Sequence, residues 1–291
     1  MSNKIVNTVD EYLKLYRTEK YTFSNLIFSD PNLYNDLLNK CLTIKDGVCY
    51  KIAGLCYYFG KGTKQNNFLA FTCYKEGALL GDKTCIHNLG FCYYYGIGID
   101  VDFKEAVKYY KKASKQNFSL SLYALGLCYR HGHGVEIDLN KSYELIKRAA
   151  DENYSQAMSE LGRMYVLGEY VDYDSDLGYY YSKSAADMNN KYGLYYTGVC
   201  YESGVGTKID IETALDYYEK ASDAGLQNAK FNFARLLIKE GDFKRRSYSE
   251  AKKLVFEANE LGIIEARRLI EDLADNGDEE AKEYLSNIHY E

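Results

Sequence analysis

Cysteine, histidine and carboxylate are the residue types that could do chemistry here, and their spacing separates catalysis and metal binding from packing. Of the eight cysteines among 291 residues, Cys49 and Cys85 share one register, while Cys56, Cys92, Cys128 and Cys200 share another, at steps of 36 or its multiple. Elsewhere those registers hold Ser121, Ala157, Gly193 and Ala229, or Met164 and Leu236. Small or apolar replacements of that kind mark buried thiols, not nucleophiles or ligands. His131 and His133 flank Gly132 with Cys128 three residues before, which falls short of the four ligands that close a structural zinc site. An exposed turn is the expectation there. Asp100, Asp102 and Glu105 have counterparts at the same register of neighbouring segments, so they suit turns and caps better than an acid and base pair. GKGTKQ, at 60–65, lacks the preceding strand and full spacing of a phosphate loop. No nucleophile, base and orienter can be assembled, so neither an enzyme nor a cofactor is expected.

Composition narrows the partners. Thirty-six Lys and Arg against 42 Asp and Glu leave a net charge of -6, so no global basic field exists to hold nucleic acid. No window approaches the ~20 apolar residues that span a bilayer, so membrane insertion is not expected. The opening MSNKIVNTVDEYLKLYRTEK lacks the apolar run of a secretory signal, which points to a cytoplasmic protein with reduced thiols.

The elements that place these residues come from internal repetition. GLCYYFGKG, GFCYYYGIG, GLCYRHGHG, GRMYVLGEY and GVCYESGVG align with first glycines at Gly54, Gly90, Gly126, Gly162 and Gly198, a period of 36. A sixth unit continues at Ala234 with an altered turn. Periods of 20–50 residues indicate stacked units too small to bury their own apolar faces. Within one unit, Ser121, Leu125, Gly126, Cys128 and Tyr129 fall on one face of a helix, helix A. Paired glycines such as Gly96 and Gly98 make a turn. Asn66, Asp102, Asp138, Asp174 and Asp210 then stand as N-caps of a second helix, helix B. A column of Gly81, Asn117, Asn153, Asn189 and Gly225 closes it. One proline and no tryptophan fit mostly uninterrupted helices.

These residues resemble a known family. ALGLCYRHGHGVEIDLNKSYELIKRAADEN and NLGFCYYYGIGIDVDFKEAVKYYKKASKQN are similar to the Sel-1-like repeat, a relative of the tetratricopeptide repeat. The resemblance implies an all-α, right-handed superhelical solenoid of antiparallel helix pairs that serves as a protein-protein interaction scaffold or adaptor, without a common catalytic residue. Six repeats are expected over 46–262, the fourth irregular at Tyr170 and Gly178 and the last degenerate. Residues 1–45 form an N-terminal helical cap, with Pro31 at the first position of its second helix, and 263–291 are C-terminal capping helices. The alternative is the secreted, disulfide-bonded branch of the family, which has been proposed to bind cell-wall or β-lactam-like ligands; here, however, the cysteines lie mostly on helix A.

A binding face follows from what the repeat leaves unpacked. At 100° per residue, Lys51, His87, Tyr123, Tyr195 and Phe231 form one row of helix A on the expected concave side. Leu55, Phe91, Leu127, Arg163, Val199 and Arg235 form a second, with Tyr58, Tyr94 and Arg130 beside it. Aromatic and Arg side chains are common binding hot spots. Only Glu202 offers a negative charge in these rows, so the groove is expected to be locally positive and to suit a peptide with acidic and apolar side chains.

Overall fold

Each period of the sequence folds as one helix pair, closed by the residues that its register singles out. The computed structural model describes residues 3–18, 22–24, 26–240 and 247–288. Helices α1 (Val9–Tyr16) and α2 (Leu33–Ile44) precede the pairs α3 (Gly47–Phe59) and α4 (Asn67–Leu79), α5 (Lys83–Tyr95) and α6 (Phe103–Ser114), and α7 (Ser119–His131) and α8 (Leu139–Asp151). Next come α9 (Ser155–Leu167) and α10 (Ser175–Asp187), α11 (Lys191–Ser203) and α12 (Ile211–Asp223), and α13 (Gln227–Glu240) and α14 (Tyr248–Glu260). Helices α15 (Ile264–Asp275) and α16 (Glu279–Ile288) follow. The result is an all-α helical repeat solenoid. It divides into two compact units, residues 1–152 and 153–291.

The caps have direct causes. Asn66, Asp102, Asp138, Asp174 and Asp210 each accept a hydrogen bond from the amide three residues on, satisfying one of the free donors at the start of helix B. Helix B closes on Gly81, Asn117, Asn153, Asn189 and Gly225, all at positive φ. The glycine inside helix A marks where the two helices of a pair touch. A Cβ on Gly126 would lie 2.9 Å from Ile146 Cγ1 and 3.2 Å from the Ser142 carbonyl oxygen, and one on Gly90 would lie 2.9 Å from the Tyr110 ring. Between repeats, the second turn glycine seats on the preceding helix B: a Cβ on Gly134 would stand 2.2 Å from the Phe103 carbonyl oxygen. Glycine is thus required by approach as well as by its φ of 72°.

The fourth repeat departs from the rule in a compensated way. Its Gly162 faces Ser182, where other repeats place a tyrosine or isoleucine against the glycine, and a Cβ there would come within 2.8 Å of the Ser182 amide nitrogen. Gly178 lies as near to α9, 3.1 Å from the Val166 amide nitrogen by the same test. Small residues on both sides let α9 and α10 approach closely. Tyr170 takes the second turn position with φ 67°, a left-handed conformation rarely adopted by a bulky residue.

Between the two helical stretches of the N-terminal segment, α1 and α2, the structure adds a feature that the sequence does not announce. A short strand β1 (Lys4–Val6) pairs in parallel with β2 (Leu26–Phe28), Lys4 opposite Leu26, with α1 crossing between them. Val6, Leu26 and Phe28 are buried with Tyr12, whose ring stacks on Phe28 at 4.8 Å. They form one core with α2 and α3. At the other end, Ala266, Ile270 and Ala281 of α15 and α16 cover Phe231, Val255 and Phe256. The altered turn after Glu240 and His289 lie outside the described residues.

Candidate functional site

In the first unit, α3, α5 and α7 bring together the helix-A residues singled out by the sequence. Leu55, Tyr58, Phe59, Tyr74, His87, Asn88, Phe91 and Cys92 line a pocket of about 210 Å3 between α3 and α5. Phe59 and Tyr95 are 55% and 58% exposed at its side, with the Tyr95 ring 4.5 Å from Phe91. A second cavity of about 440 Å3 shares Leu55 and Phe59 with the first and adds Tyr16, Lys51, Lys83 and Phe118. There the Lys51 ammonium sits 4.7 Å from the Tyr16 ring centroid and that of Lys83 5.9 Å from Phe118, a favourable arrangement of charge over an aromatic face. Tyr123, Leu127 and Arg130 continue along α7, half-buried.

Several of these side chains are more committed than their register suggested. His87 is only 8% exposed, with Nδ1 2.9 Å from Ser121 Oγ and its ring against Tyr110 and Phe118. Burial drives its pKa down to about 4, so it is a neutral packing residue, not a free group on the surface. Tyr94 is half-buried, with Oη 2.6 Å from His133 Nδ1 and its ring against Phe103. His133 itself stacks on Phe103 at 4.8 Å. The histidine turn is therefore part of the wall of the helix-A face, a role that its sequence position did not indicate. Phe231, in the second unit, is buried as well.

The positive groove is corrected in the second unit. Arg163 pairs with Glu160 at 2.9 Å and also with Glu169. Arg235 donates to Glu202 at 2.6 Å, and the other oxygen of that carboxylate accepts from Tyr218 at 2.7 Å. Tyr195 Oη accepts from Asn232 at 3.2 Å. Glu160 and Glu169 lie outside the projected rows, so counting charge within the rows overstated it.

The eight cysteines are free and buried. Burial pushes the thiols of Cys73 and Cys128 up to about 11 and those of Cys56, Cys92 and Cys200 up to about 12, which keeps them protonated at neutral pH. Cys49 goes the other way, because a hydrogen bond from Cys41 favours its thiolate. Among the described residues, no cluster of three or more His, Cys, Asp or Glu could hold a metal ion, and no helix is long and apolar enough to cross a membrane.

Comparison with known proteins agrees with this architecture. The Sel1 repeat profile matches five successive segments, 48–82, 84–118, 119–154, 155–190 and 191–226. The structure is similar to a Sel1 repeat protein from Oxalobacter formigenes, at 26% identity and a TM-score of 0.73, covering 87% of this chain and all of that one. It also shares its fold with a protective antigen of uropathogenic Escherichia coli, at 21% identity and a TM-score of 0.70, covering 94% of this chain and 60% of the longer antigen. No sequence match was found among curated proteins. Five tandem matches over more than half the residues, on helix pairs of the same period, make this chain a member of the Sel1 repeat family.

Proposed function

We propose that the chain is a non-enzymatic adaptor whose helix-A face in the first unit holds a segment of a partner protein by an apolar anchor side chain. Sel1 repeat proteins are commonly non-catalytic interaction scaffolds. The observation that carries the specific reading is the pocket of about 210 Å3 between α3 and α5, apolar in lining and flanked by exposed Phe59 and Tyr95. Exposed apolar surface beside a concavity is characteristic of an interaction site. Lys51 and Lys83 in the adjoining cavity would favour carboxylates flanking the anchor. Free, buried cysteines support a reducing, cytoplasmic setting over the secreted, disulfide-bonded alternative.

The test begins with affinity capture and mass spectrometry to identify the partner, followed by titration with variants. Tyr58→Ala combined with Phe91→Ala should weaken partner binding by about tenfold or more, since truncating an aromatic hot spot costs ~2 kcal/mol. Helicity should be unchanged. Full affinity in a folded double variant would rule out this pocket as the anchor site.

A further inference from the structure

Helix α6 carries a charged surface that neither the packing of the repeats nor the helix-A face uses. Lys104, Lys108, Lys111 and Lys115 recur at i, i+4, i+7 and i+11, which lines them up on one face, and Lys112 stands beside them. All five are exposed. With Val135 and its neighbours in the following turn they line a groove of about 470 Å3. Gly134 forms its other wall, held there because that glycine seats on the Phe103 carbonyl. Among the described residues, only Lys108 of the five is ion-paired, to Glu105 at 3.0 Å. Lys111 reaches over the Tyr129 ring at 5.8 Å.

The repeat supplies an internal control for structural need. One period later, the registers of Lys104, Lys108 and Lys115 hold Asn140, Glu144 and Asp151, and one period earlier they hold Phe68, Thr72 and Leu79. Only the Lys111 register is lysine on both sides, as Lys75 and Lys147. Helix B therefore folds without this stripe. Four lysines on one short helix and a fifth at its C-cap also repel one another, a cost that packing does not offset. In a chain of net charge -6, the concentration of lysine here is local and specific.

We infer that the α6 groove docks an acidic segment of a partner protein, with carboxylates at alternate positions of an extended strand. Lysines four apart on a helix are separated by ~6 Å along its axis, close to the ~6.6 Å between alternate side chains of a strand. The stripe from Lys104 to Lys115 is ~16 Å long, enough for about five strand residues. A long polyanion or a flat anionic membrane fits less well. Beyond α6 the charge is mixed, with Glu144 and Asp151 beside Lys147 and Arg148 on α8 and Glu76 beside Lys75 on α4, whereas a short acidic segment stays within the unbroken stripe. This surface is independent of the pocket between α3 and α5, and it can succeed or fail separately.

The experiment uses the full chain and a fluorescein-labelled peptide of about eight residues, alternating Glu and Ser, followed by anisotropy. Saturable binding that weakens with salt is expected. Lys104→Glu combined with Lys112→Glu should weaken it by roughly tenfold or more. Lys75→Glu on α4 should leave it unchanged. Should the double reversal fail to fold, Lys104→Gln with Lys112→Gln removes charge without adding repulsion and should still lower affinity severalfold. Three results would overturn the proposal: no saturable peptide binding, equal affinity in these variants, or tighter binding of single-stranded DNA or phosphatidylserine vesicles than of the peptide. Salt-dependent self-association abolished by the same reversal would assign the groove to a second copy of the chain and overturn it as well.

Discussion

At the scale of single residues, glycine and histidine show what register can and cannot reveal. Gly126 was legible because its column is glycine in five units, and the structure supplies the cause in Ile146, too near to admit a Cβ without a shift, with the Ser142 carbonyl in tight contact beside it. Gly126→Leu should cost about 1–3 kcal/mol or more by overpacking. A thermal melt matching that of the parent would refute the helix contact. His87 was misread because periodicity gives the face of a helix but not the depth of its neighbours, and Tyr110, Phe118 and Ser121 enclose the ring. Its folded pKa of about 4 lies below the unfolded 6.5, so the neutral ring contributes stability fully present above the unfolded value. That contribution is lost as pH falls from 6.5 toward 4. Urea unfolding should give a protein about 2 kcal/mol less stable at pH 5 than at pH 7 from this group. His87→Gln should flatten that part of the slope, and an identical slope in the variant would mean that the ring is accessible to protons when folded.

Among elements, the caps were legible because an Asx side chain at a helix start has a single local job, and the amides that Asp102 and Asp138 bind were foreseeable. The strands β1 and β2 were not legible. Each has three residues, too short for alternation to show, and their pairing is fixed by burial of Val6, Leu26 and Phe28 beneath distant residues. The irregularity of the fourth repeat is visible in the sequence at Tyr170 and Gly178, but its closer helix approach needs Ser182 opposite Gly162, a relation between two columns that no single column displays. For the C-terminal helices the charged face was visible, while the role of Lys252 was not. This lysine, 6% exposed, is held by Asp278 at 2.8 Å and Glu280 at 2.9 Å. Removing residues from Ile263 onward therefore deletes both partners of Lys252 and uncovers Val255 and Phe256, which exposes the apolar end of the stack to water. Light scattering should show aggregation before circular dichroism shows loss of helix. A truncated chain that stays monomeric with an unchanged melt would mean that α15 and α16 are dispensable to the stack.

Over the whole molecule, the repeat signal carried the family and the solenoid, because a 36-residue period constrains every unit at once. The proposed interaction face was legible in outline only. Helical projection found Tyr58, Phe91 and Lys51 but missed Phe59 and Tyr95, which lie one register further on, and missed Phe103 and His133, which come from other elements. It also could not count Glu160 and Glu169 against Arg163, since ion pairs form between registers as readily as within them. The functional claim rests on the first unit, where apolar lining, exposed aromatics and lysines converge. A photo-crosslinking amino acid placed at Phe91 or at Phe68 tests it most directly. Phe68 is 64% exposed on α4 and lines neither cavity of the helix-A face. The partner should crosslink from position 91 and not from position 68; crosslinking from 68 alone, with 91 silent, would contradict an anchor site between α3 and α5.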